Sequence, residues 1–386
     1  MKVIKILRNI FILSLILISC FGICITCDIK KISAEDKNAI SASVANDLVM
    51  KPKKSSSSDL DSISHINSLS YTTYSSAPPV TTLITTTPLV TSTSTVTTIQ
   101  WPPSNNSITN DFFTVYDVNS RQNVTMNGFD LICQVVRNEV GAHYKAGPLK
   151  GQTAYNKEAI KAFAVASYTY IKYNINRGQV PCVGLNSDIS QALMEDVAEV
   201  YGQAIYYNNA YICAVYCAST GGYTLSSKNS WGQANPYLIS VESKYDSQGN
   251  QYIFKKVFTK DEIRNIIGSR TGIVLSDDPS KWITIASNID GNNVDQVLID
   301  GNPYVTVEGR QYRITGTYFK NNIIGSGNVK SPAFTVEYKD GTFCFTSYGF
   351  GHGVGMPADG ANLYAKIAGW DYKQILTHYY SGVEVG

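Results

Sequence analysis

Ala204-Ile205-Tyr206-Tyr207-Asn208-Asn209-Ala210-Tyr211-Ile212-Cys213-Ala214-Val215-Tyr216-Cys217-Ala218 is the stretch at which the hydrophobic rhythm of the chain changes. Before it, apolar residues recur at helical spacing; from here on they follow period 2. Asn208 and Asn209 tolerate the positive φ of a two-residue turn, so the stretch reads as a β-hairpin. Upstream, three helices are expected. Residues 130–140 carry Leu131, Ile132, Val135 and Val136 on one face. Residues 157–174 follow an Asn156 cap and put Ile160, Phe163, Ala164, Ser167, Tyr170 and Ile171 on one face. The third, 189–201, stops at Gly202. Downstream, strands are expected at 294–299, 304–307, 311–315, 334–338 and 342–348. Two short helices then close the chain: 361–368, ended by Gly369, and 371–380, opened by an Asp371/Gln374 capping box. Helices and strands in separate blocks predict an α+β fold, with helices packed against antiparallel sheet in a single large domain over 110–386.

The rest of the chain reads differently. Lys2, Lys5 and Arg8 precede an uncharged apolar run over residues 10–25, so residues 1–27 are expected to be a signal peptide or a membrane anchor. The Leu17-Ile18-Ser19-Cys20 run also resembles the motif before a lipidated cysteine. Residues 28–109 are dominated by Ser, Thr and Pro, including four consecutive serines at 55–58. Such a segment buries too little apolar surface to offset ordering and is expected to be a linker. The domain after it is then extracytoplasmic, secreted or held at the membrane.

Composition excludes some functions. With 32 basic against 30 acidic residues, the chain has no electrostatic footprint for nucleic acid. The 26 tyrosines suit either strands or a sugar-binding groove. Beyond the leader stand Cys133, Cys182, Cys213, Cys217 and Cys344, an odd set that leaves at least one thiol free or paired between chains. If Cys213 and Cys217 lay on one extended strand, their Cα atoms would stand ~13 Å apart, beyond disulfide reach.

Three places draw attention as chemistry. Glu139 falls on the apolar stripe of the first helix, eight residues after Leu131 and four after Val135, so that helix aims a carboxylate at the core or at a cleft lined by it. The plain alternative is a helix-end Glu paired with a surface cation. Ser219-Thr220-Gly221-Gly222 is either a turn or a groove wall where backbone and small hydroxyls approach a ligand. Gly349, Gly351, Gly353 and Gly355 alternate around His352, which suits a ligand lying on backbone or a tightly packed strand end.

Four blocks in order resemble the stage II sporulation protein D / LytB (amidase enhancer) family. They are Val135-Val136-Arg137-Asn138-Glu139-Val140 with Lys161-Ala162-Phe163-Ala164-Val165-Ala166-Ser167-Tyr168-Thr169-Tyr170; Ala218-Ser219-Thr220-Gly221-Gly222-Tyr223-Thr224 with Trp231-Gly232 and Pro236-Tyr237-Leu238; Gly349-Phe350-Gly351-His352-Gly353-Val354-Gly355-Met356; and Ile375-Leu376-Thr377-His378-Tyr379-Tyr380-Ser381-Gly382. The resemblance implies a peptidoglycan lytic transglycosylase that cuts between N-acetylmuramic acid and N-acetylglucosamine, with Glu139 as sole acid/base. The same resemblance implies Lys161, Tyr168, Ser219, Thr220, Gly221, Gly222, Trp231, Tyr237 and His352 as substrate-binding residues. Its alternative is a non-catalytic wall-binding enhancer of a partner amidase. The implied partners are glycan strands, an amidase or other sporulation wall enzymes, and the membrane through the leader; no cofactor is implied. Some members hold zinc in a His and Cys cluster, but the corresponding stretch here has only Cys182, so no metal is carried over. Tyr168 and Phe163 stand where the family has arginine and glutamine, which predicts a positive charge missing near the site.

Overall fold

The computed structural model describes residues 111–140, 155–249 and 252–386. The expected leader and Ser/Thr-rich linker lie outside them, and no helix among the described residues is long and apolar enough to cross a membrane.

The described chain opens with a hairpin, β1 (Phe112–Asp117) and β2 (Gln122–Asn127). It runs directly into α1 (Gly128–Val140), whose Leu131, Ile132, Val135 and Val136 are fully buried as the spacing predicts. α2 (Lys157–Asn176) is capped at Asn156, whose side chain accepts from the Glu158 amide. Every residue from Ala159 to Ile171 is buried, so α2 is a central helix wrapped on all sides and not the one-faced helix expected from its periodicity. The short strand β3 (Cys182–Val183) pairs parallel with β1, and α3 (Gln191–Ala198) starts at a Ser190 cap.

The hairpin forms where the rhythm changes: β4 (Ile205–Tyr207) pairs with β5 (Ala210–Tyr211) across Asn208 and Asn209, both at positive φ. It is shorter than expected. The chain leaves it after Tyr211 through tight local turns at Ala214 and Val215, and β6 (Tyr216–Cys217) pairs elsewhere. The extended-strand premise for Cys213 and Cys217 therefore fails, although no disulfide joins any two of the five body cysteines among the described residues. α4 (Ser227–Trp231) follows, ending at left-handed Gly232.

A second hydrophobic core then begins. It is built from β7 (Ile253–Thr259), α5 (Lys260–Thr271), β8 (Ile283–Ile289), β9 (Asn293–Ile299), the hairpin β10 (Tyr304–Val307) and β11 (Arg310–Arg313), β12 (Phe334–Lys339) and β13 (Thr342–Tyr348). Trp282, Phe319, Phe343 and Phe345 fill it, with Trp282 stacked on Phe343 at 5.9 Å. The first core resumes with β14 (Met356–Pro357), parallel to β6, then α6 (Ala358–Leu363), α7 (Tyr372–Tyr379) and β15 (Glu384–Val385) beside β4. The architecture is α+β, but in place of one sheet under helices there are six sheets of two or three strands among the described residues, two of them containing a parallel pair. One module is thus inserted into the other. Asp290, in the β8–β9 turn, braces the two by accepting from the Ser226 amide and the Asn229 side chain at 2.9 and 2.8 Å.

Candidate functional site

Glu139 sits in the last turn of α1, on the stripe of Leu131 and Val135. It is solvent-exposed, yet desolvation by surrounding protein raises its pKa above the usual carboxylate range, against the lowering effect of a hydrogen bond from Asn138. The negative end of the α1 dipole pushes in the same direction. Asn138 Nδ2 lies 3.4 Å from Glu139 Oε1, and its amide cannot flip freely because its Oδ1 accepts from Asn119 Nδ2 at 3.1 Å. No cation pairs with Glu139 among the described residues. Arg137, two positions earlier, donates to Asp188 through Nε and Nη2.

Two tyrosines feel the charge of this acid. Tyr155 hydrogen-bonds Asp359; burial, then the charges of Asp359, Asp246 and Glu139, push its hydroxyl far above the ordinary phenol range. Tyr216 is pushed up by burial and then by Glu139, and its ring packs edge-on against Phe163 at 5.3 Å. Phe163, where the family has glutamine, is thus part of the apolar surround of Tyr216.

The Ser219–Gly222 turn is held from below by Asp246, which sequence reasoning missed. Asp246 accepts from the Thr220 amide, the Thr220 hydroxyl and the Ser243 hydroxyl, and burial lifts its carboxyl to about 6 despite them. Nothing in the local sequence around Asp246 signals this, since Thr220 lies 26 residues away. Ser219 exchanges backbone hydrogen bonds with Phe350 at 3.0 Å, while a Cβ at Gly221 would strike Ala333.

The glycine alternation around His352 is a loop and not a strand end: Gly349, Gly351, Gly353 and Gly355 are all left-handed. Gly349 and Gly355 abut the backbones of Thr220 and Val215, so both serve close packing between segments. His352 Nδ1 accepts from the Val354 amide at 3.0 Å, which leaves the proton on Nε2 to be donated to the Tyr216 carbonyl at 3.0 Å. Burial, then nearby Lys320, hold this imidazole neutral down to about pH 4. Both ring nitrogens are spent on backbone, so His352 shapes the site and moves no proton at neutral pH.

Three expected substrate-binding residues are not brought to Glu139. Lys161 is buried and paired with Glu158 and Glu199. Tyr237 is buried against Tyr207 and accepts from the Cys213 amide through its hydroxyl. Tyr168 packs edge-on against Phe113 and Tyr201. Those two rings flank Gly128 at the start of α1, ~16 Å along the helix from Glu139. The exchange of the family arginine at 168 therefore alters core packing and not the charge beside the acid. Trp231, by contrast, lies 5.4 Å from the His352 ring and lines a pocket with it. Among the described residues no three or more His, Cys, Asp or Glu side chains gather as a metal site needs, and Cys182 lies on the strand beside Tyr116.

No protein-family model matches the chain. It is 32% identical over 193 residues to a protein named stage II sporulation protein D from Bacillus subtilis strain 168, covering 50% of each chain. The chain is thus similar to stage II sporulation protein D. A second protein of that name, from Bacillus amyloliquefaciens, is 31% identical over 202 residues, covering 52% of this chain and 53% of its own length. The Bacillus subtilis amidase enhancer is 26% identical over 288 residues, 64% of this chain and 39% of its own. The family resemblance carried by the four sequence blocks is thus borne out, while the chain spans about half the length of the sporulation relatives it matches.

Proposed function

We propose that the domain acts on the bacterial cell wall outside the cytoplasm, in sporulation or wall remodelling, as a lytic transglycosylase of peptidoglycan glycan strands. The observation that carries this is Glu139: accessible, oriented by Asn138, without a cation partner among the described residues, and held toward its protonated form by desolvation. Such an acid protonates the oxygen between N-acetylmuramic acid and N-acetylglucosamine as the bond breaks. The resulting carboxylate then accepts the proton of the sugar's own 6-hydroxyl, which closes a 1,6-anhydro ring. No second carboxylate has to activate water, unlike in a hydrolase. On this reading the Ser219–Gly222 turn on Asp246, Tyr216 and the His352 loop are the walls of the cleft. The relatives named for sporulation fit this reading, and the amidase enhancer favours a second one, in which the same cleft binds strands to stimulate a partner amidase. Purified glycan strands incubated with the protein and weighed by mass spectrometry separate the two. New 1,6-anhydro ends support cleavage; binding without such ends supports the enhancer.

A further inference from the structure

At the junction of the two modules, Trp231, Phe350 and His352 meet Lys320, Asn321 and Lys330 around a pocket of about 160 Å³. We propose that this pocket is an anion subsite that seats the carboxyl group of an acidic saccharide, with Lys330 and Lys320 as its cations and Trp231 and Phe350 as its apolar walls. The proposal rests on the glycan reading for the identity of the sugar, N-acetylmuramic acid being the strand unit that carries a carboxyl group.

Several independent features converge there. Two lysines line the pocket and no Asp or Glu does. Lys320 is only 6% exposed, with its ammonium on Asn321 Oδ1 at 3.1 Å. The positive potential is felt inside the fold, since Lys320 helps keep His352 uncharged. Lys330 is held over two aromatic rings, 4.9 Å from Phe254 and 5.3 Å from Phe350, which fixes its ammonium at the rim. Phe350 is 39% exposed despite its size, and together with Trp231 it supplies the flat apolar surface on which a sugar ring can lie. Junctions between modules, with aromatic walls and a few convergent polar groups, are where small-molecule sites concentrate. His352 lines the pocket and donates to the Tyr216 carbonyl, and the Tyr216 phenol senses Glu139.

The test uses the full chain and two small probes, N-acetylmuramic acid and its neutral methyl ester, titrated to millimolar concentration and followed by chemical-shift changes. The acid is expected to bind about tenfold to a hundredfold more tightly than the ester, the range of a charge-assisted hydrogen bond. Lys330→Met should abolish that preference and Lys330→Arg should keep it. Folding should survive, because the amide and carbonyl of residue 330 keep their bonds to Ser347 and Gly351, and thermal unfolding checks this. Equal binding of acid and ester, no binding of the acid, or an undiminished preference in Lys330→Met overturns the proposal. Failure of the cleavage reading looks different: a chain that prefers the acid yet makes no anhydro ends loses the transglycosylase and keeps the pocket.

Discussion

One oxygen of Asp246, Oδ2, accepts both the backbone N–H and the hydroxyl of Thr220, at 2.7 and 2.5 Å. The Ser219–Gly222 turn therefore rests on a single buried carboxyl group. Burial favours the protonated form, with a folded pKa of about 6 against ~3.9 in an unfolded chain. The unfolded state thus releases its proton first as pH rises, so this residue makes the fold less stable from pH 4 to 6, by about 3 kcal/mol in total. Asp246→Asn should remove that loss. Its oxygen can take the Thr220 pair while its amide donates to Ser243, whose hydroxyl turns to Tyr379 at 2.7 Å. Denaturant unfolding at pH 4 and pH 7 measures the change in slope; an unaltered slope would mean that Asp246 is not the group titrating.

His352 contributes the opposite slope. Its folded pKa of about 4 lies below the ordinary imidazole value, so its contribution is complete above pH 6.5 and is lost as pH falls toward 4. His352→Asn keeps an acceptor for the Val354 amide and should flatten that part of the curve. The two variants should tilt the stability profile in opposite directions. In the parent, the His352 ring signals in an NMR titration should stay in place from pH 8 to pH 5.

Glycine tolerance should separate packing from conformation in the loop. Gly353 and Gly355 are both left-handed, but a Cβ at Gly353 has its nearest neighbour at 3.6 Å, whereas one at Gly355 would enter the Val215 carbonyl. Gly353→Ala should cost about 1–2 kcal/mol from backbone strain alone. Gly355→Ala should cost clearly more, or prevent folding. Equal losses in chemical denaturation would contradict the close β6–loop packing.

The inserted module offers a simpler check. Thr259 and Glu262 form a reciprocal capping box at the start of α5, and both are exposed. Thr259→Ala should lower stability by about 1 kcal/mol through the orphaned helix amide and leave any activity at Glu139 unchanged.

What the sequence made legible was local. The Asn156 cap, the Asn208-Asn209 turn, β10 and β13 to their end residues, and the Asp371/Gln374 box each depend on neighbours within a few positions, and each is present. α5 carried a readable signal in Thr259 and Glu262 but only Ile263 and Ile267 as buried residues, too sparse a stripe to announce a helix. The β1–β2 and β8–β9 hairpins went unassigned because β2 and much of β8 bury little on either face, which leaves no alternation to read. Glu139 was visible because its stripe lies within one helix. Asp246, Tyr155 and Tyr216 were not, because what makes them part of the site is a tertiary meeting of segments, and only folding brings a carboxyl group at 246 under a threonine at 220. Lys161, Tyr168 and Tyr237 lie in the packed interior for the converse reason: a block can match a family because its residues build the core.

The central claim rests on the Glu139 carboxyl group, and the rate of anhydro-end formation by Glu139→Gln tests it most directly. The amide keeps the shape and the contact with Asn138 but exchanges no proton, and it is cheaper to hold in a crowded site, so stability should hold or rise slightly. Loss of a positioned acid/base lowers the rate by about 10² to 10⁴, with a sole carboxyl group at the upper end. The account predicts folded protein that still binds strands and forms 1,6-anhydro ends at least a thousandfold more slowly than the parent. A Glu139→Gln protein that forms them at the parent rate would place the acid elsewhere and contradict it.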